Sequence, residues 1–119
     1  MYYLGFDIGT SALKTVLMDE YQEILYDSAQ NYQYDEPEEG YKEMNPEIWF
    51  QAVYSELKHV TARFREQKIA AVGVTGQMHT TVFLDKWGSV IRPAIMWNDT
   101  RTKDAAGPAS DTGFPPTHF

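Results

Sequence analysis

The residues with the clearest chemical potential lie near the N-terminus, where a carboxylate precedes a turn of small and hydroxyl-bearing residues. Asp7 ends an apolar, strand-like run, and Gly9, Thr10 and Ser11 follow it. Consecutive main-chain N–H groups in such a turn form a concave site for anionic oxygens, and the two hydroxyls add donors. Because Gly9 has no Cβ, the backbone can approach a ligand closely there. The segment therefore predicts a phosphate site.

The charges around this turn indicate how it would tolerate a phosphate. The Asp7 carboxylate repels phosphate unless a divalent cation or its waters lie between them, so Asp7 is predicted to be a metal ligand. Lys14, on the returning strand, supplies a compact positive charge. The same residues are also typical of a plain hairpin turn, since Asp and Gly are common in turns for conformational reasons. The pattern alone leaves both interpretations open.

A second group of polar side chains follows a short apolar run at residues 69–74. Gln77 and His79 come directly after that run, at the carboxyl end of a predicted strand. Open α/β sheets present ligand-binding groups at this end of their strands. A lone histidine also has ordinary hydrogen-bonding uses in a folded protein. These observations therefore leave two alternatives for His79, a structural role and a binding role.

The elements that must position these groups follow from periodicity and turn residues. Strands are predicted from Tyr2 to Asp7, from Leu13 to Asp19 and from Glu23 to about Gln33, which together form an antiparallel meander. Asn45-Pro46-Glu47 predicts a helix start. Apolar residues then recur at helical spacing, and the predicted core face comprises Trp49, Val53, Leu57, Val60 and Phe64.

The remaining elements complete an α/β pattern. The run at 69–74 lacks alternation, which predicts a strand buried on both faces. A further hairpin is predicted from strands at 81–84 and 91–97, with a turn at 85–88 between them. From Ala105 onward the sequence has no periodicity and contains several Gly and Pro residues, which predicts an irregular tail over 105–119. The order β-β-β-α-β with a hairpin favours a layered α/β domain at 1–104.

Composition restricts the possible functions. The chain has 119 residues, 43% of them hydrophobic, and a net charge of -7, which indicates a globular domain and argues against a nucleic-acid surface. There is no cysteine, so disulfides, thiolate metal sites and cysteine nucleophiles are excluded. The N-terminus lacks a basic region and its apolar run is interrupted at Asp7, so we expect no signal peptide and no membrane partner. These features predict a cytoplasmic protein.

Four segments taken in order resemble the FGGY carbohydrate kinases, and most closely the xylulokinases among them. They are residues 5–15, Asn45-Pro46-Glu47-Ile48-Trp49, Gly76-Gln77-Met78-His79 and Trp97-Asn98-Asp99-Thr100-Arg101. The third segment favours xylulokinases over glycerol kinases and gluconokinases. The resemblance covers residues 1 to about 103 and implies an RNase-H-like, actin-type ATPase N-terminal lobe. In this chain that lobe would be incomplete, with a mixed sheet, an antiparallel meander and a helix.

The resemblance also implies cofactors and roles for individual residues. ATP and Mg²⁺ are the implied cofactors, with Asp7 beside the metal in a supporting catalytic role. The implied phosphate contacts are Gly9, Thr10, Ser11 and Lys14. The implied sugar contacts are Gln77, Met78, His79 and Trp97. Met78 would form an apolar wall, and His79 would hydrogen-bond a sugar hydroxyl.

The resemblance makes D-xylulose the first expected sugar, with D-xylulose 5-phosphate as product. Thr80 departs from the glycine that is common at this position in bacterial xylulokinases, so gluconate, ribulose and glycerol stay as alternatives. In this family the aspartate that accepts the hydroxyl proton lies far downstream of these residues. We therefore expect an N-terminal portion of a kinase that is inactive by itself. A noncatalytic binding or structural fragment is the alternative.

Truncation would also leave strand edges and apolar faces open. Such surfaces favour self-association, so a dimer is expected.

Overall fold

The computed structural model describes residues 1–102, and the tail predicted at 105–119 lies outside the described part. The first three strands are β1 (Tyr2–Ile8), β2 (Ala12–Asp19) and β3 (Ile24–Asn31). They form the antiparallel meander that the sequence predicts. A fourth strand, β5 (Ile69–Gly76), lies beside β1 in parallel orientation, so the sheet order is β3-β2-β1-β5.

Alternate residues of β1 and β2 form the core on one face of this sheet. The buried hydrophobic residues of this core are Tyr2, Leu4, Phe6, Leu13, Leu17, Ala52 and Val60. The last two belong to the helix α1 (Pro46–Arg63), which therefore covers this face. Because side chains alternate across a strand, Asp7 and Lys14 lie on the opposite, open face.

Helix α1 begins where the sequence predicts. The Asn45 side chain accepts a hydrogen bond from the Glu47 N–H at 3.1 Å, and Pro46 occupies the first helical position. Val60 is fully buried, and Val53 and Leu57 pack against the core. Ala52 is also buried although the apolar spacing did not predict it.

The prediction that the strand at 69–74 is buried on both faces is wrong for the described residues. From Ala70 to Gly76, every residue of β5 is exposed, including Val72 at 52% and Val74 at 66%. Within residues 1–102, β5 has a neighbouring strand on one side only. The helix packs mainly over β2, and of β5 only Ile69 packs against the core cluster. The sequence of this run is typical of a buried strand, but no other described element covers its side chains beyond Ile69.

The hairpin predicted from strands at 81–84 and 91–97 is present in part, because its two arms face each other in antiparallel orientation but pair only through isolated contacts. Only β6 (Ala94–Ile95) is a strand, and it pairs with β4 (Glu43–Met44). Thr81 and Leu84 make isolated bridges to Ile95 and Val90. Pro93 has no N–H for a strand ladder, which explains why the pairing is short. The turn at 85–88 is present, and there the Asp85 carboxylate accepts two main-chain N–H groups at 2.9 Å each.

Candidate functional site

The turn between β1 and β2 has the shape of an anion-binding loop. The Gly9 N–H donates to the Ala12 carbonyl oxygen at 2.9 Å, and a Cβ added at Gly9 would lie 3.0 Å from that oxygen. A larger residue would therefore force the two arms of the turn apart. The main-chain N–H groups of Thr10 and Ser11 have no acceptor among residues 1–102. Two adjacent donors are thus free for an anionic ligand.

The carbonyl groups of this turn are fixed from both sides. The Gly9 carbonyl oxygen accepts a hydrogen bond from the Tyr32 hydroxyl and another from Gln77 Nε2 at 3.3 Å. The Tyr32 N–H donates to the Ser11 carbonyl at 3.0 Å, and the Gln77 N–H donates to the Ile8 carbonyl at 3.1 Å. Because its carbonyls are held in this way, the turn presents its N–H groups without prior rearrangement.

Tyr32 is held as a neutral hydrogen-bond donor. Burial of its side chain, and to a smaller extent the nearby Asp7 carboxylate, raise the pKa of Tyr32 to about 12. The hydroxyl therefore stays protonated further into the alkaline range than a free tyrosine, and it donates to the Gly9 carbonyl oxygen.

Asp7, Lys14 and Thr75 form a row across the open face of the sheet. Asp7 is the direct cross-strand partner of Lys14 on β2 and of Thr75 on β5. These three residues line a groove of about 500 Å³, whose lining also includes Gly5 and Gly73. The two glycines leave space beside the row because they have no side chains. The row places one negative, one positive and one hydroxyl group on the same surface.

A chain of hydrogen bonds connects the turn to the predicted sugar-binding residues. The Trp97 indole N–H donates to Thr10 Oγ1 at 2.9 Å, and the Trp97 main-chain N–H donates to Thr80 Oγ1 at 3.2 Å. The Thr80 hydroxyl lies 2.7 Å from Gln77 Oε1. Since Gln77 also contacts Gly9, the path closes into a ring that we call the turn ring. It comprises Gly9, Thr10, Gln77, Thr80 and Trp97.

Met78 and His79 lie at the surface, outside the turn ring. Met78 is 74% exposed, and neither side chain makes a hydrogen bond within residues 1–102. His79 adopts a positive φ of 65°, which is uncommon for a residue other than glycine. Backbone strain of this kind occurs often at ligand-binding sites. Both side chains are free to contact a ligand.

The segment that carries Trp97 is anchored to β4 by a charged pair. The Asp99 side chain is 2% exposed and accepts from the Lys42 main-chain N–H at 2.7 Å. Its carboxylate also lies 2.8 Å from Arg101 Nη2. These contacts, the Arg101 bonds first, lower the pKa of Asp99 to about 2. Arg101 in turn lies 3.4 Å from Glu43 Oε2, and its guanidinium stacks 4.1 Å from the Tyr41 ring centroid.

Sequence reasoning missed the role of Tyr32. The predicted third strand ran to Gln33, which placed Tyr32 inside a strand and gave it no function. In the structure β3 ends at Asn31, directly opposite Ala12 at the start of β2. The available signal was the register of the β2–β3 hairpin. Counting residues outward from its turn along both strands pairs Ala12 with Asn31, so Tyr32 follows beside the loop at 9–11.

Comparison with known proteins shows the family to which the chain belongs. Residues 2–112 match the model of the N-terminal domain of the FGGY family of carbohydrate kinases. The chain belongs to the FGGY family of carbohydrate kinases. It is 41% identical over 101 residues to the xylulose kinase of Staphylococcus xylosus, an alignment that covers 85% of this chain and 21% of that protein. The chain therefore spans about a fifth of the length of the curated relatives it matches.

Solved structures of FGGY kinases share the fold. A ligand-bound xylulose kinase from Lactobacillus acidophilus superposes with a TM-score of 0.88 at 29% identity, covering 95% of this chain and 23% of that one. A gluconate kinase from the same organism gives the same four values. The predicted RNase-H-like, actin-type fold is thus confirmed. The fold alone does not distinguish xylulose from gluconate.

The site of this FGGY chain fits the cofactors that its family implies. The amides of Thr10 and Ser11, which have no acceptor within residues 1–102, suit phosphate oxygens, and Lys14 adds a positive charge in the groove beside Asp7. Among residues 1–102 there is no cluster of three or more His, Cys, Asp or Glu side chains that could hold a metal alone. Mg²⁺ commonly takes one or two carboxylates together with substrate phosphates, and Asp7 matches that ligand set.

No helix within residues 1–102 is both long and apolar enough to cross a membrane.

Proposed function

We propose that the chain forms the phosphate-binding and part of the sugar-binding site of an ATP-dependent sugar kinase, with D-xylulose as the preferred sugar. The observation that carries this proposal is the turn ring. It joins an anion-binding turn to Gln77 and Trp97, which the sequence assigns to sugar contacts. A phosphoryl transferase needs this proximity, because the phosphate donor and the acceptor hydroxyl must meet.

At the phosphate end, each residue has a separate role. The Thr10 and Ser11 N–H groups bind phosphate oxygens, and Lys14 offsets negative charge in a chain whose net charge is -7. Asp7 holds Mg²⁺ in a supporting role. The chemistry that bound Mg²⁺ supplies is neutralisation of phosphate charge. Gly9 contributes through its small size, which lets the backbone approach the ligand.

At the sugar end, Met78 and His79 are the exposed side chains that can contact a substrate. We assign His79 a hydrogen bond to a sugar hydroxyl and Met78 an apolar contact. Trp97 is 53% exposed and presents its indole ring beside Thr10, so one face of the ring can cover the sugar. Gln77 fixes the turn and contacts the sugar from the same strand end.

The reaction transfers the γ-phosphoryl group of ATP to a sugar hydroxyl, and a carboxylate must accept the hydroxyl proton. We assign that base to a residue outside this chain. The 119-residue chain should therefore bind ligands and show no turnover. An assay of sugar-dependent ADP release with ATP, Mg²⁺ and xylulose tests this directly, and turnover by the purified chain would show the assignment to be wrong. The cytoplasm, where ATP is supplied, is the expected compartment.

Calorimetry tests the proposed sugar specificity. Xylulose should bind the chain, and His79→Ala should weaken that binding by about tenfold, the cost of one lost hydrogen bond to a ligand. His59→Ala is the matched control, since His59 is an exposed histidine on α1. Equal affinities in the two variants would remove His79 from the sugar site.

Gluconate is the second candidate substrate. A relative named gluconokinase, from Bacillus subtilis, is 31% identical over 102 residues. Titration of xylulose, gluconate, ribulose and glycerol in parallel would rank them. Tighter binding of gluconate than of xylulose would transfer the proposal to that sugar. Failure of every sugar and of ATP to bind would favour a noncatalytic fragment.

We further propose that the chain self-associates through β5. This strand has an open edge in the described residues, and Val72 and Val74 present apolar surface beside it. Open edges of this kind pair readily with a second copy. Light scattering should show a dimer whose population rises with concentration, and a monomer at all concentrations would contradict the proposal.

A further inference from the structure

Thr80 occupies the junction of the turn ring. Its hydroxyl lies 2.7 Å from Gln77 Oε1 and 3.2 Å from the Trp97 main-chain nitrogen. An amide oxygen can only accept a hydrogen bond, and a main-chain N–H can only donate one. The Thr80 hydroxyl must therefore donate to Gln77 and accept from Trp97. Both hydrogen-bonding capacities of one small side chain are used within the ring.

The first consequence concerns the orientation of Gln77. A glutamine amide can rotate so that its oxygen and nitrogen exchange places. Nε2 donates to the Gly9 carbonyl oxygen at 3.3 Å, and Oε1 accepts from the Thr80 hydroxyl. The opposite orientation would place Oε1 against the Gly9 carbonyl oxygen, which is repulsive because both atoms only accept. The Gly9 carbonyl thus selects the amide orientation, and the Thr80 hydroxyl holds the amide in that orientation.

The second consequence concerns Thr10. Thr80 fixes the Trp97 backbone, and the Trp97 indole donates to Thr10 Oγ1 at 2.9 Å. Since the Thr10 oxygen accepts that bond, its own proton stays available for an incoming anionic oxygen. The orientation of the Thr10 hydroxyl therefore depends on Trp97, and through Trp97 on Thr80.

We propose that Thr80 is a positioning residue that couples the phosphate turn to the segment carrying the sugar contacts. It acts through Gln77 on one arm and through Trp97 on the other. The inference rests on the proposed function for its ligand, since it assumes that the turn binds a polyphosphate. Loss of the hydroxyl should loosen both arms together, which a purely local turn contact would not do.

The test compares three variants of the 119-residue chain, Thr80→Val, Thr80→Ser and Thr81→Val. Thr81 is the matched control because it is the exposed neighbour and makes only main-chain hydrogen bonds within residues 1–102. The probe is inorganic tripolyphosphate with Mg²⁺, titrated by calorimetry. The second readout is solvent exchange of the Trp97 indole proton by nuclear magnetic resonance, with that resonance assigned by its loss in Trp97→Phe.

Thr80→Val should raise the dissociation constant for tripolyphosphate about tenfold and speed indole exchange by a similar factor, as expected for one lost hydrogen bond. Thr80→Ser should restore both values, and Thr81→Val should match the unsubstituted chain. The proposal is overturned if Thr80→Val behaves like Thr81→Val, or if Thr80→Ser is as impaired as Thr80→Val.

The two proposals fail in different ways. If the unsubstituted chain does not bind tripolyphosphate, the proposed function fails. The coupling is then judged by the indole proton alone, which reports the Thr80–Trp97–Thr10 arm without any ligand. Unchanged exchange in Thr80→Val would refute the coupling whether or not the turn binds phosphate.

Discussion

Substitution of Asp99 by asparagine should remove a charge that stabilises the segment carrying Trp97. In the folded chain the pKa of Asp99 is about 2, against an ordinary value of 3.8 for a free aspartate. Each pKa unit corresponds to about 1.4 kcal/mol, so the ionised carboxylate contributes about 2 kcal/mol to the free energy of unfolding. The side chain is 2% exposed, so solvent screening removes little of this amount.

The sign of the pH dependence follows from the direction of the shift. A carboxyl whose pKa is lowered by folding stabilises the folded state above its unfolded pKa. That contribution is present above about pH 4 and is lost as pH falls through about 2. Asp99→Asn lacks a titrating group at this position. The difference in unfolding free energy between the two chains should therefore shrink by about 2 kcal/mol between pH 7 and pH 2.

Urea unfolding followed by circular dichroism measures that difference at each pH. Asp85→Asn is the control, because the Asp85 carboxylate also accepts two main-chain N–H groups but forms no salt bridge within residues 1–102. Exchange of the Lys42 amide proton adds a local readout, since this N–H donates to Asp99 at 2.7 Å. A difference that is constant from neutral to acidic pH would show that the Asp99–Arg101 pair does not stabilise the chain in this way.

Three further predictions concern the turn, the phosphate charge and the sheet edge. Tyr32→Phe should lower the unfolding free energy by about 1 kcal/mol, the usual contribution of a hydrogen bond. The control Tyr21→Phe, at an exposed site, should leave it unchanged, and urea unfolding compares the two variants. Lys14→Met should weaken calorimetric binding of tripolyphosphate by up to about fivefold, as expected for one exposed charge pair. Lys58→Met should leave the binding unchanged, whereas equal losses would point to overall charge. Val74→Lys should lower the dimer fraction in light scattering, and an unchanged fraction would place the interface elsewhere.

The parts of the fold that could be predicted from the sequence depend on local interactions. The β1–β2 hairpin follows from alternation around Gly9, and α1 follows from the Asn45 cap and its apolar stripe. The burial of β5 could not be predicted, because it depends on what covers Val72 and Val74 and not on the strand itself. Similarly, the apolar residues of 91–97 predicted a longer strand, whereas the regular strand is limited to β6 beside Pro93.

The candidate site divides in the same manner. The turn at 9–11 with its outward main-chain donors was predicted because these donors belong to consecutive residues, and its phosphate role stays a prediction. The hydrogen bond from the Tyr32 hydroxyl to the Gly9 carbonyl oxygen was missed, because it joins residues 23 apart in sequence and depends on the register of the hairpin. A one-residue change of register turns a side chain to the other face of a strand, so an uncertain end of β3 concealed the contact. The link from Thr10 to Trp97 spans 87 residues and has no local signal.

The central claim is that main-chain amides of the first turn bind the polyphosphate of a nucleotide. The most direct measurement is the amide chemical shifts of Thr10 and Ser11 during titration of the ¹⁵N-labelled chain with ATP and Mg²⁺. We predict that both resonances move and saturate together, while the amide of Gly88, in the turn at 85–88, stays in place. Saturable shifts confined to other residues, or none at all, would contradict the claim.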